Sequence, residues 1–416
     1  MFADADYTEN RGVLILGAST RAAAHSALRA GLTPVCADMF ADRDLAACAR
    51  VLDAVDYPQG LVAVAATAPP APWMYTGGLE NHPGIIEQIS RSRPLWGNTG
   101  DVLRCIRDPW HVTGLLIDHG LPVCRVWSPD CSSPAADGCW MLKPLRGAAG
   151  RGIRIWKERD SEETTLLEPH YFQERRVGVP VSALFLALPD RAMILGIARQ
   201  LVGLQEVHAP PFAWCGTIAP IELPAETEET IARIGNLLAR QTGLRGLFGC
   251  DFIVDHGTPW LTEVNPRYPA STEIIERVLR VPLLDWHRQA CESFGDSGRP
   301  FAGSLADETA ATSSAGTHLR AHRTGVFGKG VIGKIVVYAG RDVVAPDALR
   351  FVWRPSRHRE SGEFDDAFPY MADITAPGTR IACGQPICTL FARAASESEC
   401  LAKLLRRAAR FEAQIE

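Results

Sequence analysis

The sequence predicts an α/β fold built from several domains, ending in a β-rich piece, on three observations. The first hundred residues alternate buried-looking apolar runs with amphipathic helical ones, the pattern of a parallel sheet with crossover helices. The middle of the chain changes to short strands around a glycine-rich loop and then to longer strands and helices, which predicts two α+β units. At 416 residues the chain is also longer than a single compact core supports.

In order, VLILG (13–17) reads as a buried strand, ASTRAAAHSALRAG as a helix stopping at Gly31, and TPVCADMF as a second strand. GLVAVAATAP (60–69) reads as another buried strand and HPGIIEQISRS as a helix, completing an N-terminal domain over 1–107. The turn Gly17-Ala18-Ser19-Thr20-Arg21 lacks the spaced glycines of a dinucleotide fingerprint and implies no ligand. Residues 108–176 hold the helix DPWHVTGLLIDHG and the short strands PVCRVW, CWMLKP, GIRIW and HYFQERR. Residues 177–295 hold VSALFLAL, AMILGIARQLVG, the helix ETEETIARIGNLLARQTG and an apolar hairpin. The stretch 296–320, rich in Gly, Ser, Ala and Thr, reads as a linker. The last piece, 321–416, carries GKIVVYAG, ITAPGTRIACGQPICTLFARA and a basic closing helix.

Net charge is −5 with no long basic run, which argues against a nucleic-acid partner. No apolar run is long enough to span a bilayer, and the acidic start MFADADYTENRG is no signal sequence; a cytoplasmic protein without membrane association is expected. The twelve cysteines form no CxxC pair and read as small buried hydrophobes rather than zinc ligands.

The hairpin GCDFIVDHGTPWLTEVNPR carries the first chemical signal. Glu263 and Asn265 are two apart in a strand and so share a face. If the DHGTP turn centres on Gly257, Asp251 falls opposite Glu263, with Ile253 and Leu261 on the same face. Two carboxylates and an amide in a half-apolar site repel unless a cation compensates, and hard oxygen donors suit Mg²⁺ or Mn²⁺ completed by phosphates. A solvated polar face is the alternative.

The second signal is CWMLKPLRGAAGRGIRIW. Lys143 ends an apolar strand, and Gly147, Gly150 and Gly152 follow with Arg151 among them. Glycines let successive amides turn toward one anion, and a lysine adds a point charge; a flexible hairpin with a solvated lysine is the plain reading. GKGVIGKI (328–335) resembles a phosphate loop, but Ile335 replaces the Ser or Thr that binds magnesium, so it reads as glycine-rich turn material.

Taken in order, these features resemble the ATP-grasp superfamily from about residue 12 to 295, in the branch related to biotin carboxylase and tyramine–glutamate ligase. The C-terminal piece resembles the end domain of biotin-carboxylase-type members. The resemblance implies an ATP-grasp fold: an N-terminal parallel α/β domain, a small α+β lid (108–176), a central α+β domain and a C-terminal β-rich domain. It implies that Lys143, Gly147, Gly150, Arg151 and Gly152 hold the ATP phosphates, and that FQERRVGVPVS supplies the adenine hinge through Gln173, Glu174 and Arg175. Asp251, Glu263 and Asn265 would hold Mg²⁺ or Mn²⁺, and Arg267, with Lys143, would act on the transferred phosphoryl group. Pro109 stands near the place where many members have a lid-helix cation, with Arg107 or His111 as stand-ins, and Pro180 occupies the usual ribose-binding acid position.

The implied activity is carboxylate–amine ligation through an acyl phosphate, with ADP and phosphate released, in the assembly of a one-carbon carrier cofactor. The partners would be small-molecule carboxylates and amines, and a homodimer is compatible with the sequence. Arg199, His208, Ser271 and Thr272 are the candidate substrate contacts. A biotin-carboxylase-like enzyme and a non-catalytic nucleotide-binding protein are the alternatives; against the former, ARQLVG lacks a basic run and no MKM segment is present.

Overall fold

The computed structural model describes residues 11–128, 133–157, 169–294, 330–345 and 369–415. The expected linker at 296–320 lies outside them.

Four parallel strands, β1 (Gly12–Gly17), β2 (Thr33–Asp38), β3 (Arg50–Asp53) and β4 (Trp73–Tyr75), form the first sheet in the order β3-β2-β1-β4. β1 is buried from Val13 onward, as a parallel strand covered on both faces must be. The connecting helices are α1 (Arg21–Arg29), α2 (Arg43–Ala46), α3 (Leu61–Thr67) and α4 (Pro83–Ser90). α3 corrects the reading of 60–69 as a strand. A short apolar run has no period that separates strand from helix, and the alanines of LVAVAAT favour helix. Only Leu61 and Ala65, one turn apart, are buried, so α3 presents a single narrow face to the core.

Two helices, α5 (Gly100–Ile106) and α6 (Pro109–Asp118), lead out of this unit. Asp108 caps α6 by accepting from the amides of Trp110 and His111, with Pro109 at the first turn. A small antiparallel sheet follows, in the order β5-β8-β6-β7: β5 (Val126–Trp127), β6 (Asp137–Pro144), β7 (Arg154–Lys157) and β8 (His170–Glu174).

The largest sheet is antiparallel. Its strands from the middle of the chain are β9 (Val179–Ala187), β10 (Ala192–Val202), β11 (Trp214–Ala219), β12 (Gly246–Asp255) and β13 (Thr258–Asn265). Helices α7 (Ala225–Thr242), α8 (Thr272–Leu279) and α9 (Leu283–Ser293) accompany them. Ile231, Ile234 and Leu238 of α7 share one buried cluster with Phe185 and Phe248, whose rings stack at 4.9 Å.

β14 (Val331–Tyr338), β15 (Val343–Val344), β16 (Met371–Ala372), β17 (Arg380–Ile381), β18 (Pro386–Ala394) and helix α10 (Glu397–Ile415) complete the described chain. β14 pairs with β11, so the eight-stranded sheet runs unbroken as β13-β12-β9-β10-β11-β14-β18-β16. The described part of GKGVIGKI therefore belongs to a strand rather than a turn. A Cβ at Gly333 would lie 2.8 Å from Cys400 Sγ, so glycine there allows α10 to pack closely on the sheet.

A buried ion network ties α1, α2, α8 and β14 together. Arg21 pairs with Glu273, with Asp373 at 2.8 Å and with Asp44 at 3.6 Å, and Lys334 reaches Glu273 at 2.8 Å. Asp42 lies beside it without the same compensation: burial first, then Asp373 and Asp44, push its carboxyl up to about 8. A carboxyl raised in the folded state favours folding most below its unfolded value and loses that contribution as pH rises through the folded one. Asp42→Asn is therefore expected to match the wild type near pH 4 and to melt higher by about 2–4 °C at pH 9. A thermal melting series from pH 4 to 9 checks this; a constant offset across the range would count against it.

Candidate active site

The β12–β13 hairpin turns through His256 (φ 46°) and Gly257 (φ 82°), both left-handed, as a two-residue hairpin turn requires. Asp255 pairs with Thr258, Ile253 with Trp260 and Phe252 with Leu261; the register then shifts, and Asp251 pairs with Glu263. The pairing expected from a turn centred on Gly257 is thus present by a different route. A two-residue turn moves the register by one, and the bulge at Thr262 moves it back. Within the shifted stretch Leu261 pairs with buried Phe252, so Trp260 stands opposite Ile253, while Leu261 still lines the same cleft as Glu263.

Asn265 donates to Asp251 Oδ2 (2.9 Å), Gln200 donates to Asp251 Oδ1 (2.9 Å), and Arg267 Nη2 donates to Asn265 Oδ1 (2.9 Å). The bulge has a second consequence: it frees the Thr262 carbonyl from the ladder. Lys143 Nζ (3.2 Å) and Gln173 Nε2 (3.1 Å) both donate to it, and Lys143 also donates to Gln173 Oε1 (3.1 Å). The apolar strand β6 thereby delivers its lysine to the carboxylate hairpin.

Arg107, the residue ending α5, donates to Glu263 Oε1 (3.1 Å), Asn81 Oδ1 (2.8 Å) and the Gly147 carbonyl (3.3 Å). Of the two stand-ins for the lid-helix cation, Arg107 therefore reaches the site, whereas His111 is exposed and does not line the cleft. Glycine-loop geometry is left-handed at Ala149, Gly150 and Gly152. A Cβ at Gly150 would sit 2.2 Å from the Phe212 carbonyl oxygen, so this position admits only glycine. Arg151 donates to Gln385 (3.1 Å).

Arg107, Lys143, residues 147–151, Tyr171, Gln173 and Glu263 line one cleft. It holds about 80 Å³ of free space, against ~300–1,000 Å³ for typical ligand sites. Residues 147–151 of the glycine loop form one wall of it.

Charges in the cleft are set by one another. Burial, then the Glu263 charge, push the Asp251 carboxyl up to about 6, against the pull of Ser182, Arg267 and Asn265. Desolvation opposes ionisation of Glu263, but Lys143 and Arg107 outweigh it and hold its pKa below the ordinary value. Burial likewise works against the Lys143 ammonium, while Tyr171 and Glu263 keep its pKa above the ordinary value.

Among the described residues no three His, Cys, Asp or Glu side chains form a metal cluster. The hairpin offers two carboxylates and an amide, and the Asp251 oxygens accept from the uncharged amides of Gln200 and Asn265. That donor set fits a hard divalent ion whose remaining ligands come from phosphates and water.

Other candidates fall elsewhere. Gln173 lines the cleft, whereas Glu174 turns to Arg125 (3.2 Å) and Arg176 (2.9 Å), and Arg175 donates to the Gly138 carbonyl (3.3 Å). Arg199 lies 3.9 Å from Glu397 and His208 lies 3.3 Å from Glu412, both facing α10; neither lines the cleft. Ser271 and Thr272 are buried at the start of α8, with no hydrogen-bond partner for either hydroxyl among the described residues. Sequence reasoning did not single out Gln200, Glu80 or Asn81 as site residues. Glu80 accepts from Arg267 Nε (3.0 Å), 187 positions away, and no local pattern announces such a contact.

Residues 106–271 match the family model of the ATP-grasp domain. The chain thus resembles an ATP-grasp domain over about two-fifths of its length. It is 31% identical over 168 residues to the carbamoyl phosphate synthase large chain of Thermomicrobium roseum, covering 38% of this chain and 15% of that protein's length. Among solved structures it is similar to an L-amino acid ligase from Bacillus licheniformis, with a TM-score of 0.64 at 14% identity over 96% of this chain and 98% of that one. A biotin carboxylase from Campylobacter jejuni gives 0.61 at 15% identity, over 94% and 89%. At such identities the likeness speaks to fold alone, and it extends well beyond the matched residues.

Proposed function

We propose that this protein is an ATP-dependent carboxylate–amine ligase working through an acyl phosphate. One observation carries the reading: Lys143 and the carboxylate hairpin meet in a single cleft under a glycine loop. A carboxylate oxygen attacks the γ-phosphorus, the bond to the bridging oxygen breaks, and ADP leaves. An amine nitrogen then attacks the acyl carbon and phosphate departs. Both early reactants are anions, so the site's work is to neutralise charge and hold them in line. Lys143, Arg107 and the amides of residues 147–152 are assigned to the phosphates, and Gln173 to the adenine hinge. Asp251, Glu263 and Asn265 would hold Mg²⁺ or Mn²⁺, which neutralises phosphate charge when bound. Arg267 is assigned to the transferred phosphoryl group.

Amino acids are the first donors and acceptors to assay, given the ligase fold; glutamate with tyramine tests the one-carbon carrier assignment. Purified protein is incubated with ATP, Mg²⁺ and these pools, and ADP and amides are quantified together. Amide formed in step with ADP supports ligation. ADP formed only with bicarbonate and biotin would replace the reading with a carboxylase, and nucleotide binding without ADP would replace it with a sensor.

A further inference from the structure

Between β4 and α4 the chain makes one short turn, Leu79–Asn81, in the sequence GGLENHP. Its two polar residues reach opposite sides of the carboxylate hairpin. Glu80 is 4% exposed, accepts from Arg267 Nε at 3.0 Å through Oε1, and has a buried Oε2 without a hydrogen-bond partner among the described residues. Asn81 accepts from Arg107 Nη2 at 2.8 Å and donates to the Gly147 carbonyl at 3.2 Å. Arg107 itself pairs with Glu263, and Arg267 bonds Asn265. Two adjacent residues of the N-terminal sheet unit thus hold the two arginines that flank Asp251, Glu263 and Asn265, and one of them also holds the glycine loop.

We propose that Glu80 and Asn81 are a pair of positioning residues with divided work: Glu80 aims Arg267 at the transferred phosphoryl group, and Asn81 sets Arg107 and the glycine loop for the nucleotide. The inference rests on the ligase reading for the reaction Glu80 serves, but not for the nucleotide contact Asn81 serves. A guanidinium has five donors in a fixed fork, so an acceptor on Nε fixes its plane; with Nη2 donating to Asn265 Oδ1 (2.9 Å) and Nη1 to the Tyr268 carbonyl (3.3 Å), one N–H on each outer nitrogen remains to meet an oxyanion. The carboxylate on Nε also lowers the freedom Arg267 would lose when the phosphoryl group arrives. Asn81 does the equivalent for Arg107, using the amide oxygen for the cation and the amide nitrogen for the loop.

The test uses Glu80→Gln, Glu80→Asp and Asn81→Ala in the full chain. Phosphoryl transfer from acetyl phosphate to MgADP, read as ATP formed, needs no identified donor acid; MgADP affinity is measured separately by calorimetry. Glu80→Gln is expected to lower kcat by about 10²-fold with the KM for ADP unchanged. Asn81→Ala is expected to weaken MgADP by roughly tenfold with a smaller effect on kcat. Glu80→Asp, which keeps the charge but shortens the reach, falls between Gln and wild type. Parallel losses of kcat and ADP affinity in both single variants would mean the turn is merely structural, and the proposal fails. If Glu80→Gln does not fold, Glu80→Asp alone decides the kcat arm. A wild-type chain that binds MgADP but makes no ATP counts against the ligase reading and removes the Glu80 role; the calorimetry still decides Asn81.

Discussion

Glu263→Gln is expected to cut turnover by about 10²–10³-fold while the protein folds as before. Glutamine matches glutamate in size, and its amide oxygen still accepts the Arg107 hydrogen bond that Glu263 Oε1 receives at 3.1 Å. The side chain is 37% exposed to the cleft, so the swap neither opens a cavity nor buries a bare polar group. What disappears is one negative charge among Lys143, Arg107 and Arg267, the three cations that act on it. On the proposed function Asp251 would then be the hairpin's one carboxylate for a divalent ion, and the positive side of the cleft is left in excess. Turnover is therefore expected to need more Mg²⁺ as well as being slower. Steady-state ADP release across a Mg²⁺ titration, with melting curves for both proteins, measures each part. Unchanged turnover at saturating Mg²⁺ would remove the carboxylate hairpin from the chemistry.

How much of this was legible in the sequence depended on how local each signal is. A strand's two-residue period placed Glu263 and Asn265 on one face, and a DHG turn placed Asp251 opposite them. Two departures from a simple hairpin cancel: the turn is one residue shorter than one centred on Gly257, and Thr262 is bulged out. Leu261, inside the shifted stretch, pairs with Phe252 rather than Ile253, the partner a turn centred on Gly257 would give it. Residues 61–67 differ for another reason: six apolar residues and a threonine, without periodicity, satisfy strand and helix alike. Glu80, Asn81 and Gln200 are invisible locally, since their roles exist only once separate sheets come together. Arg199 and His208 read in the sequence as polar residues of a plausible substrate wall, and in the structure they stand beside Glu397 and Glu412 of α10.

Lys143→Met is the second large effect, and its relation to Glu263 makes it more informative than a single loss. Lys143 is 9% exposed, and methionine fills a similar unbranched volume without the charge. The Thr262 carbonyl keeps its bond from Gln173 at 3.1 Å, so the bulge that aligns Asp251 with Glu263 has a remaining anchor. On the proposed function the nucleotide phosphates would lose a charge-assisted contact, which is expected to lower kcat/KM for ATP by about 10–100-fold, mostly through KM. Lys143 is also one of the positive charges, with Arg107 and Arg267, that stabilise ionised Glu263. Removing the lysine leaves that carboxylate undercompensated, and removing the carboxylate leaves the lysine so. The double variant removes both charges at once and should therefore lose less than the product of the single losses, with a coupling of about 1 kcal/mol or more in kcat/KM. Independent losses that multiply would mean the two groups act on the nucleotide without sensing each other, which a separation bridged by the Thr262 carbonyl does not allow.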